Sequence, residues 1–404
     1  MSSNPLAGVP VVDVDPYSEE FLLEPYAFHE QLRDAGPVVW IPRYGMYGCA
    51  RHEQVRAVLG DHDTFISSAG VGLTNFRHEK PFRPKSLILE ADPPEHTRAR
   101  AVLARILSPK AVMQIRQIFA AEAEALLDRV LDKAQREGAI DAVGELAEAY
   151  PLKVFPDAVG VGDQGRKNLL LYGDMVFNAL GPRNELLERS SEQVVPVTEW
   201  IMNHCKRENL RPGGFGDQIH QAADAGEITH EEAPLLVRSF LSAGVDTTIN
   251  AIGNALLCLA RNPAAYERLH ADPSLARPAF EESLRLESTA QTFFRTAARD
   301  TELAGVRIPE DAKVVLFLAA ANRDPRQWPE ADRFDVDRRP VGHMAFGSGI
   351  HGCVGQVVAR MEGELVLSAL ARRVRRIALA GDPTRRLNNT LRALASLPLL
   401  LEPV

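Results

Sequence analysis

A cysteine that follows a glycine-rich loop is the residue of this chain best suited to bind a metal ion. The segment 346–360 reads FGSGIHGCVGQVVAR, with three glycines before Cys353 and good helix formers after it. Glycine disfavours helices and strands, so the pattern predicts that Cys353 lies where a loop passes into a helix N-terminus. The helix dipole and unpaired backbone N–H groups favour a thiolate there. A metal-binding thiolate is one interpretation, and a half-buried free cysteine beside a turn is the alternative.

A carboxyl group and two hydroxyl groups lie within an otherwise apolar segment. Residues 242–248 read SAGVDTT and fall inside a helix predicted over 229–259 from its T-x-x-E capping box and its apolar periodicity. Burying polar groups is unfavourable unless they are hydrogen-bonded, so Asp246 and Thr247 are candidates for a functional role. The alternative is structural, with the Thr247 hydroxyl bonded to a carbonyl one turn back and the helix bent there.

The composition is that of a globular protein with a large core. The chain has 404 residues, of which 45% are hydrophobic and 25% are charged. A formal net charge of -8 argues against a nucleic-acid-binding protein. We find no signal-like N-terminus and no apolar segment suited to span a bilayer, so a cytoplasmic location without a membrane is expected. The cysteines are too widely spaced for a disulfide framework or a zinc site, at Cys49, Cys205, Cys258 and Cys353.

Hydrophobic periodicity predicts a mainly α protein with small β-sheets, of class α+β. The predicted helices are 17–35, 52–59, 96–107, 110–136, 139–149, 166–180, 189–207, 229–259, 274–287 and 355–377. The predicted strands are 38–41 with 46–50 as one hairpin, 291–296, 306–308 with 313–318 as a second hairpin, and short strands near the C-terminus. A long loop over 65–92 is expected to be functional or disordered. Because candidate site residues come from every part of the chain, we expect one domain over 1–404.

The cysteine segment resembles the haem-ligand loop of the cytochrome P-450 superfamily. The family pattern F-x-x-G-x-H-x-C-x-G is matched at Phe346, Gly349, His351, Cys353 and Gly355. The resemblance implies the P-450 fold, in which a long central helix crosses over the haem, and it implies that Cys353 is the axial thiolate ligand of haem b. It also implies that Phe346 and Gly347 contact the haem.

The apolar helix is similar to the oxygen-binding motif of the same family, A/G-G-x-D/E-T, at Ala243, Gly244, Asp246 and Thr247. The resemblance implies that the two small residues leave room for dioxygen beside the haem and that Asp246 and Thr247 relay protons. A thiolate-bound iron favours O–O cleavage, which allows one oxygen atom to be inserted into a C–H bond. The implied reaction is monooxygenation with dioxygen as cosubstrate.

Other charged residues fall where the family has haem-binding or structural groups. A haem has two propionates, and the resemblance assigns their partners to His96, Arg100, Arg295 and His351. The family's E-x-x-R motif is matched by Glu282 and Arg285, and Arg333 of a later DRF segment fits the third position. The implied role of these three residues is to hold the core on the haem side. Taken alone, each of these residues would be read as a solvated surface group.

Several stretches resemble soluble bacterial members that oxidise para-substituted benzoic acids, such as 4-methoxybenzoate O-demethylases. In that group an Arg and a Ser of the long loop, with an Arg and a Ser before the oxygen-binding motif, hold the substrate carboxylate. The implied substrate-binding residues are Arg83, Ser86, Leu89, Phe177, Leu180, Arg238, Ser239, Ala243, Ala290 and Phe293. Leu180 and Ala290 replace a phenylalanine and a valine of the group pattern, so we expect a pocket that tolerates a meta substituent or a bulkier para group.

The resemblance also implies redox partners, because the haem domain occupies the whole chain. These are a 2Fe-2S ferredoxin and a flavin-dependent ferredoxin reductase that uses NAD(P)H. The strip 96–116 contains five basic residues and no acid, which is typical of a docking site for an acidic partner or of a solvated face. The alternatives for function are a monooxygenase of another small hydrophobic substrate, a haem-thiolate peroxygenase or isomerase, and a non-catalytic haem protein.

Overall fold

The computed structural model describes residues 8–404, and its framework is helical. The α-helices are α1 (Glu19–Leu23), α2 (Tyr26–Ala35), α3 (His52–Gly60), α4 (Glu95–Ile106), α5 (Pro109–Glu137), α6 (Ala149–Val159), α7 (Asn168–Asn178), α8 (Glu185–His204), α9 (Phe215–Asp224), α10 (Glu232–Ala243), α11 (Asp246–Arg261), α12 (Pro263–Ala271), α13 (Ala276–Leu286), α14 (Leu318–Asn322) and α15 (Gln356–Arg373). A π-helix, Val143–Glu148, precedes α6. The predicted fold class, mainly α with small sheets, is confirmed.

The strands form four small sheets rather than one central layer. They are β1 (Val39–Ile41), β2 (Met46–Cys49), β3 (Phe65–Ile66), β4 (Ala139–Asp141), β5 (Thr292–Ala297), β6 (Thr301–Leu303), β7 (Val306–Ile308), β8 (Lys313–Phe317), β9 (Val374–Leu379), β10 (Thr384–Arg386), β11 (Ala393–Ser396) and β12 (Pro398–Pro403). The largest sheet has the order β1-β2-β8-β5-β3, in which β2 and β8 are parallel. The others are β4-β12-β9, β6-β7 and β10-β11.

The predicted long helix is present as α10 and α11, separated by Gly244 and Val245. Its capping box is formed, since the Thr229 N–H donates to Glu232 Oε2 at 2.8 Å and the Glu232 N–H donates to Thr229 Oγ1 at 3.2 Å. By length and composition the span Glu232–Arg261 is apolar enough to cross a membrane, but 83% of its most apolar window is buried inside the protein. It is therefore a core helix, and it brings the SAGVDTT segment to the centre of the molecule.

A buried ion pair braces α13, as the E-x-x-R motif predicts. Glu282 and Arg285 are fully buried and are joined by two hydrogen bonds of 2.8 Å. The prediction that the Arg333 side chain joins them is wrong: its guanidinium pairs with carboxylates at the surface, and only its backbone carbonyl accepts from Arg285, at 3.2 Å. Arg338 is the later arginine that joins the pair: its Nε donates to Glu282 at 3.0 Å. Bonds from its guanidinium to the Pro329 and Glu330 carbonyls hold the side chain in this orientation.

Several predicted elements differ from the structure because distant strands decide the pairing. Strand β7, predicted to pair with β8, pairs with β6 instead, through a two-residue turn at Ala304 and Gly305 in which both residues have positive φ. Strand β8 lies between β2 and β5. Residues 139–141, predicted as helix, form β4, and the end of the last predicted helix forms β9; both strands pair with β12. The opening helix is divided in two at Pro25.

Candidate active site

Predicted site residues from all parts of the chain meet around one internal cavity of about 240 Å³. Its wall is formed by the long loop, the cysteine segment, the helices α4, α7, α10 and α11, and strand β5. The predicted residues that line it are Arg83, Ser86, Leu89, Arg100, Phe177, Arg238, Ser239, Ala243, Gly244, Thr247, Ala290, Phe293, Arg295, Phe346, Gly347, His351 and Cys353. His96, Leu180 and Asp246 do not belong to the lining.

Cys353 lies in the loop just before α15, as predicted, and its N–H donates to the Phe346 carbonyl at 2.8 Å. Burial raises the pKa of its thiol, whereas the N–H groups of Gly355 and Gln356 and the nearby Arg100 lower it. The predicted thiolate-stabilising groups are therefore present, but burial outweighs them. A coordinated metal ion deprotonates a thiol outright.

Within residues 8–404, Cys353 does not belong to a cluster of three or more metal-ligating side chains. The described residues contain no group of three His, Cys, Asp or Glu side chains that could hold a metal ion. The remaining cysteines are buried, and burial raises the pKa of Cys49 and of Cys205 to about 12. A single thiolate is a sufficient protein ligand when a macrocycle supplies the others, as in haem.

Two histidines next to the cavity have unused hydrogen-bonding atoms. The rings of His96 and His351 are 4.2 Å apart, and His351 Nδ1 is 3.1 Å from the Ile88 carbonyl oxygen. The Nε2 atoms of both rings are buried without a hydrogen-bond partner. Burial, with Arg295 and His96 nearby, lowers the pKa of His351 to about 3, so that ring is neutral. Two such orphaned groups fit a polar ligand bound at this end of the cavity.

Two arginines that face the same cavity also lack an acidic partner. Arg295 is 4% exposed and donates to the carbonyl of its neighbour Phe294 at 2.7 Å. Burial lowers the pKa of Arg295 to about 10. Neither Arg295 nor Arg100 is ion-paired with an acid of the described chain, although Asp92 acts on Arg295 through space. Together with the histidines they form a donor set for two carboxylates, which fits the propionates of a haem.

The interruption between α10 and α11 lies at the cavity wall. A Cβ on Gly244 would lie 2.2 Å from Cε1 of Phe155, so a side chain there would require the ring to move. The Thr247 hydroxyl donates to the Ala243 carbonyl at 2.7 Å, which is the structural arrangement considered as the alternative above. Thr247 nevertheless lines the cavity, and its hydroxyl oxygen can still accept a hydrogen bond from a group in the cavity.

Asp246 is tied to a charge network that the sequence did not reveal. It is 2% exposed, and its Oδ1 accepts from Arg386 at 3.0 Å, while Oδ2 is buried without a partner. Arg386 also donates to Asp174 at 2.5 Å. Burial raises the pKa of Asp246; Arg386 lowers it, and Asp174 raises it. Arg386 is 140 positions away in a C-terminal strand, and no local pattern singles it out.

Arg83 is positioned on the cavity wall as expected, but it already has a carboxylate partner. Its guanidinium makes two hydrogen bonds of 3.0 Å to Glu90, whose side chain is 1% exposed. Glu90 also accepts from the Ser86 N–H at 2.8 Å. The Ser86 hydroxyl oxygen accepts from the N–H groups of Ile88 and Leu89. The sequence reasoning missed Glu90, although its spacing from Arg83 within one loop offered a signal.

Arg238 differs from Arg83 because no acid neutralises it. It is 4% exposed, and its Nη2 donates to the carbonyls of Pro84 (3.3 Å) and Lys85 (2.9 Å). Arg238 therefore fastens the long loop to α10 and faces the cavity as a buried cation. The neighbouring Ser239 hydroxyl donates to a carbonyl one turn back, at 3.1 Å, and its oxygen is free to accept.

The predicted aromatic wall is partly assembled. Phe177 and Phe293 line the cavity together with Ala290 and Leu89. Leu180 packs against Phe177 in the same apolar cluster but lines a separate small cavity that also contacts Arg83 and Glu90. Leu180 does not line the main cavity, so its contact with the substrate stays a prediction.

Glu362 is a further cavity residue that sequence reasoning missed. It is fully buried on α15, and neither of its carboxyl oxygens has a hydrogen-bond partner. Burial raises its pKa well above the usual range, so its side chain is neutral. Helical periodicity offered a signal, since Glu362 falls on the face of α15 that buries Val358 and Val366.

Most basic residues of the strip 96–116 are paired with acids, so the strip has less uncompensated positive charge than its sequence indicates; docking of an acidic partner there stays a prediction. Arg98, Arg105 and Arg116 are ion-paired with the acidic residues Glu232, Glu227 and Glu364. Arg100 faces the cavity and so adds nothing to the surface charge, whereas Lys110 is exposed. The acids come from other helices, so the sequence of the strip alone overstated its charge.

The cavity, with one thiol and a set of unpaired basic and imidazole groups, has the features of a haem-thiolate site. Comparison with known proteins agrees with this class: residues 214–399 match the family described as Cytochrome P-450. The chain is 57% identical over 397 residues to Cytochrome p-450 CYP199A2 of Rhodopseudomonas palustris, covering 98% of this chain and 96% of that protein.

Two further similarities extend over the whole length. The chain is 30% identical over 416 residues to beta-dihydromenaquinone-9 omega-hydroxylase of Mycobacterium bovis, covering 97% of this chain and 79% of that protein. The solved structure of CYP109Q5 from Chondromyces apiculatus superposes with a TM-score of 0.80 at 29% identity, covering 97% and 99% of the two chains. The chain belongs to the cytochrome P-450 family. It is a monooxygenase whose cofactor is thiolate-ligated haem b, with dioxygen as cosubstrate and electrons from NAD(P)H through redox partners.

Proposed function

We propose that Cys353 is the axial ligand of the haem and that His96, Arg100, Arg295 and His351 bind its propionates. The unpartnered Nε2 atoms of both histidines and the two arginines without acids support this assignment. Phe346 and Gly347 of the cysteine segment also line the cavity and would contact the haem. One continuous hydrophobic core from Ile88 to Leu401 supports a single haem domain in the part of the chain that the structure describes.

We propose that Asp246 and Thr247 handle the protons of the reaction. When bound, a thiolate-ligated haem activates dioxygen for insertion of one oxygen atom into a C–H bond. Asp246 Oδ2 is free to take up a proton, and the partly exposed Arg386 links this carboxylate to the solvent side. The Thr247 hydroxyl, which faces the cavity beside Ala243 and Gly244, would pass the proton on.

The substrate that we propose is an aromatic carboxylic acid, and the reaction is O-demethylation or hydroxylation of a para-substituted benzoate. The observation that carries this proposal is the guanidinium of Arg238, buried at the cavity wall without an acid. An ionised carboxylate in an apolar pocket needs charge-assisted hydrogen bonds of about 1.5 to 3 kcal/mol each. The Ser86 hydroxyl, which only accepts within the chain, would donate to the carboxylate, and the Ser239 hydroxyl would donate once released from the Leu235 carbonyl. Phe177 and Phe293 would pack on the ring.

One observation favours a second candidate, oxidation of another small hydrophobic and uncharged substrate. Arg83, the loop arginine expected to bind the carboxylate, is neutralised by Glu90. If Arg238 served only to fasten the loop carbonyls, the cavity would need no anion. The two candidates differ in one measurable property, which is the discrimination between an acid and its neutral analogue.

The test is a spin-state titration and product analysis with 4-methoxybenzoate and with methoxybenzene. We expect a spin-state shift and demethylation with the acid and little of either with the neutral analogue; equal binding and oxidation of both would contradict the carboxylate proposal. Arg238→Gln should weaken binding of the acid by about tenfold or more, and it should weaken binding of the neutral analogue much less, by the loss of the loop contacts alone. Arg261→Gln, an exposed arginine at the end of α11, is the matched control.

We propose that the electrons arrive from a 2Fe-2S ferredoxin and a flavin-dependent ferredoxin reductase, in the cytoplasm. The presence of both Asp246 and Thr247 supports oxygen activation by this route over a peroxygenase that needs no electron donor. Product formation with ferredoxin, reductase and NADH, compared with hydrogen peroxide alone, separates the two. Turnover with peroxide alone at an equal rate would contradict the electron-transfer route.

A further inference from the structure

The cavity is lined by four arginines, and their neutralisation is uneven. They are Arg83, Arg100, Arg238 and Arg295, and the one acid in the described lining is Glu362, which is held neutral by burial. Glu90 pairs with Arg83 from just outside the lining, with two hydrogen bonds of 3.0 Å. Three lining arginines are therefore without an acid. Two propionates of a haem would compensate two of them, which leaves a single positive charge.

We propose that Glu90 is a specificity-determining residue that sets the charge of the substrate pocket to a single positive charge. This inference rests on the proposed function, because it concerns the same substrate carboxylate. Glu90 cancels Arg83, so that the pocket matches a substrate with one carboxylate. Glu90 is a positioning residue, since it acts on the substrate through Arg83 and does not itself line the main cavity.

The position of Glu90 supports a role in charge and not only in packing. Its carboxylate is bound by Arg83 and by the Ser86 N–H, so it holds together the two loop residues expected to meet the substrate. A buried carboxylate this close to an anion-binding site repels the anion unless its own charge is fully paired. Lys313, a buried cation on which Glu90 acts through space, is bonded to the Gly70 carbonyl at 2.7 Å and the Thr296 hydroxyl at 3.2 Å, and it does not line the cavity.

The proposal predicts an order of affinities for 4-methoxybenzoate that follows the pocket charge. Arg83→Gln lowers the charge by one and leaves Glu90 unpaired, so binding of the acid should weaken by about tenfold or more. Glu90→Gln raises the charge by one, so binding should tighten by about tenfold. The double variant Arg83→Gln with Glu90→Gln restores the wild-type charge, and its affinity should return to within about threefold of the wild type.

The measurements are spin-state titrations of each haem-loaded variant with 4-methoxybenzoate and with methoxybenzene. Affinity for the neutral analogue should stay within about twofold throughout, because only charge has changed. Glu79→Gln, which removes an exposed carboxylate from the same loop, is the control and should behave as the wild type. If Glu90→Gln does not fold, the comparison of Arg83→Gln with the double variant still tests the order.

Two results would overturn the inference. In the first, the double variant binds the acid as weakly as Arg83→Gln. Arg83 would then bind the substrate carboxylate directly, and Glu90 would not control affinity through the charge of the pocket. In the second, Glu90→Gln weakens the acid and the neutral analogue equally, which would make Glu90 purely structural. Failure of the proposed function looks different, because the wild type would then not distinguish the acid from methoxybenzene.

Discussion

The network Asp174, Arg386 and Asp246 gives a prediction with a defined sign. Arg386 holds Asp246 Oδ1 at 3.0 Å and lowers the pKa of this buried acid, against the upward effect of burial. Replacing Arg386 with glutamine removes a charge-assisted hydrogen bond of about 1.5 to 3 kcal/mol, which corresponds to about one to two pKa units. The Arg386 side chain is 36% exposed, so solvent screens part of this effect. We therefore expect the pKa of Asp246 to rise by about one unit.

The expected consequence is a shift in the pH dependence of product formation. If Asp246 must be ionised to collect a proton from solvent, activity is lost as the pH falls through its pKa. In Arg386→Gln the pKa of Asp246 is higher, so this loss of activity should occur at a higher pH, by about one unit. Asp174→Asn should move it the other way, because Asp174 raises the pKa of Asp246.

The assay is the rate of product formation over a range of pH, with NADH consumption measured in parallel. Arg376→Gln, which changes an exposed arginine on β9 in a different C-terminal sheet, controls for loss of surface charge. Opposite shifts for Arg386→Gln and Asp174→Asn would support the network as the route to Asp246. If both variants and the wild type lose activity at the same pH, the reasoning is refuted. Ionisation of Asp246 would then not control the rate-determining proton transfer.

Two further predictions concern the core and the oxygen-side helix. Arg285→Met leaves the carboxylate of Glu282 buried without its bidentate partner, so the free energy of unfolding of the haem-loaded protein in urea should fall by about 3 to 5 kcal/mol. Arg333→Met should change it by less than about 0.5 kcal/mol, and an equal loss in both would contradict the assignment of the buried network. Thr247→Ala should leave NADH consumption largely intact while product yield falls; Thr248→Ala, which removes the next hydroxyl along the helix, should keep product and consumption coupled.

The parts of the fold that were predictable depend on short-range patterns. The capping box at Thr229, the loop-to-helix position of Cys353 and the E-x-x-R pair are each defined by residues within one or two helical turns, and the structure forms each of them. The β7 pairing was wrong because a two-residue turn with positive φ at Ala304 competes with the longer connection to β8. Sequence periodicity contains no information on which of two strands lies nearer in space.

Contacts between distant segments account for the rest of what the sequence could not provide. The break before α11 coincides with the close approach of Gly244 to Phe155, a residue of α6. Arg386 and Arg338 reach their carboxylates across 140 and 56 positions, so neither appears in a local motif. The basic strip was overstated for the same reason, because its acidic partners lie on other helices.

The charge of the substrate pocket is a property of the folded chain and not of any motif in it. Four arginines face the cavity from the long loop, α4, α10 and β5, and the sequence gives each the same formal charge. Only the fold distinguishes them: Arg83 is neutralised within its loop, Arg238 is bonded to backbone carbonyls alone, and the other two lie with the unpaired histidines. A resemblance in sequence can carry over the residue types of a carboxylate site, but the number of uncompensated charges decides whether a monoanion, a dianion or a neutral molecule binds. That number must be counted on the structure, and the proposal of a substrate with one carboxylate depends on it.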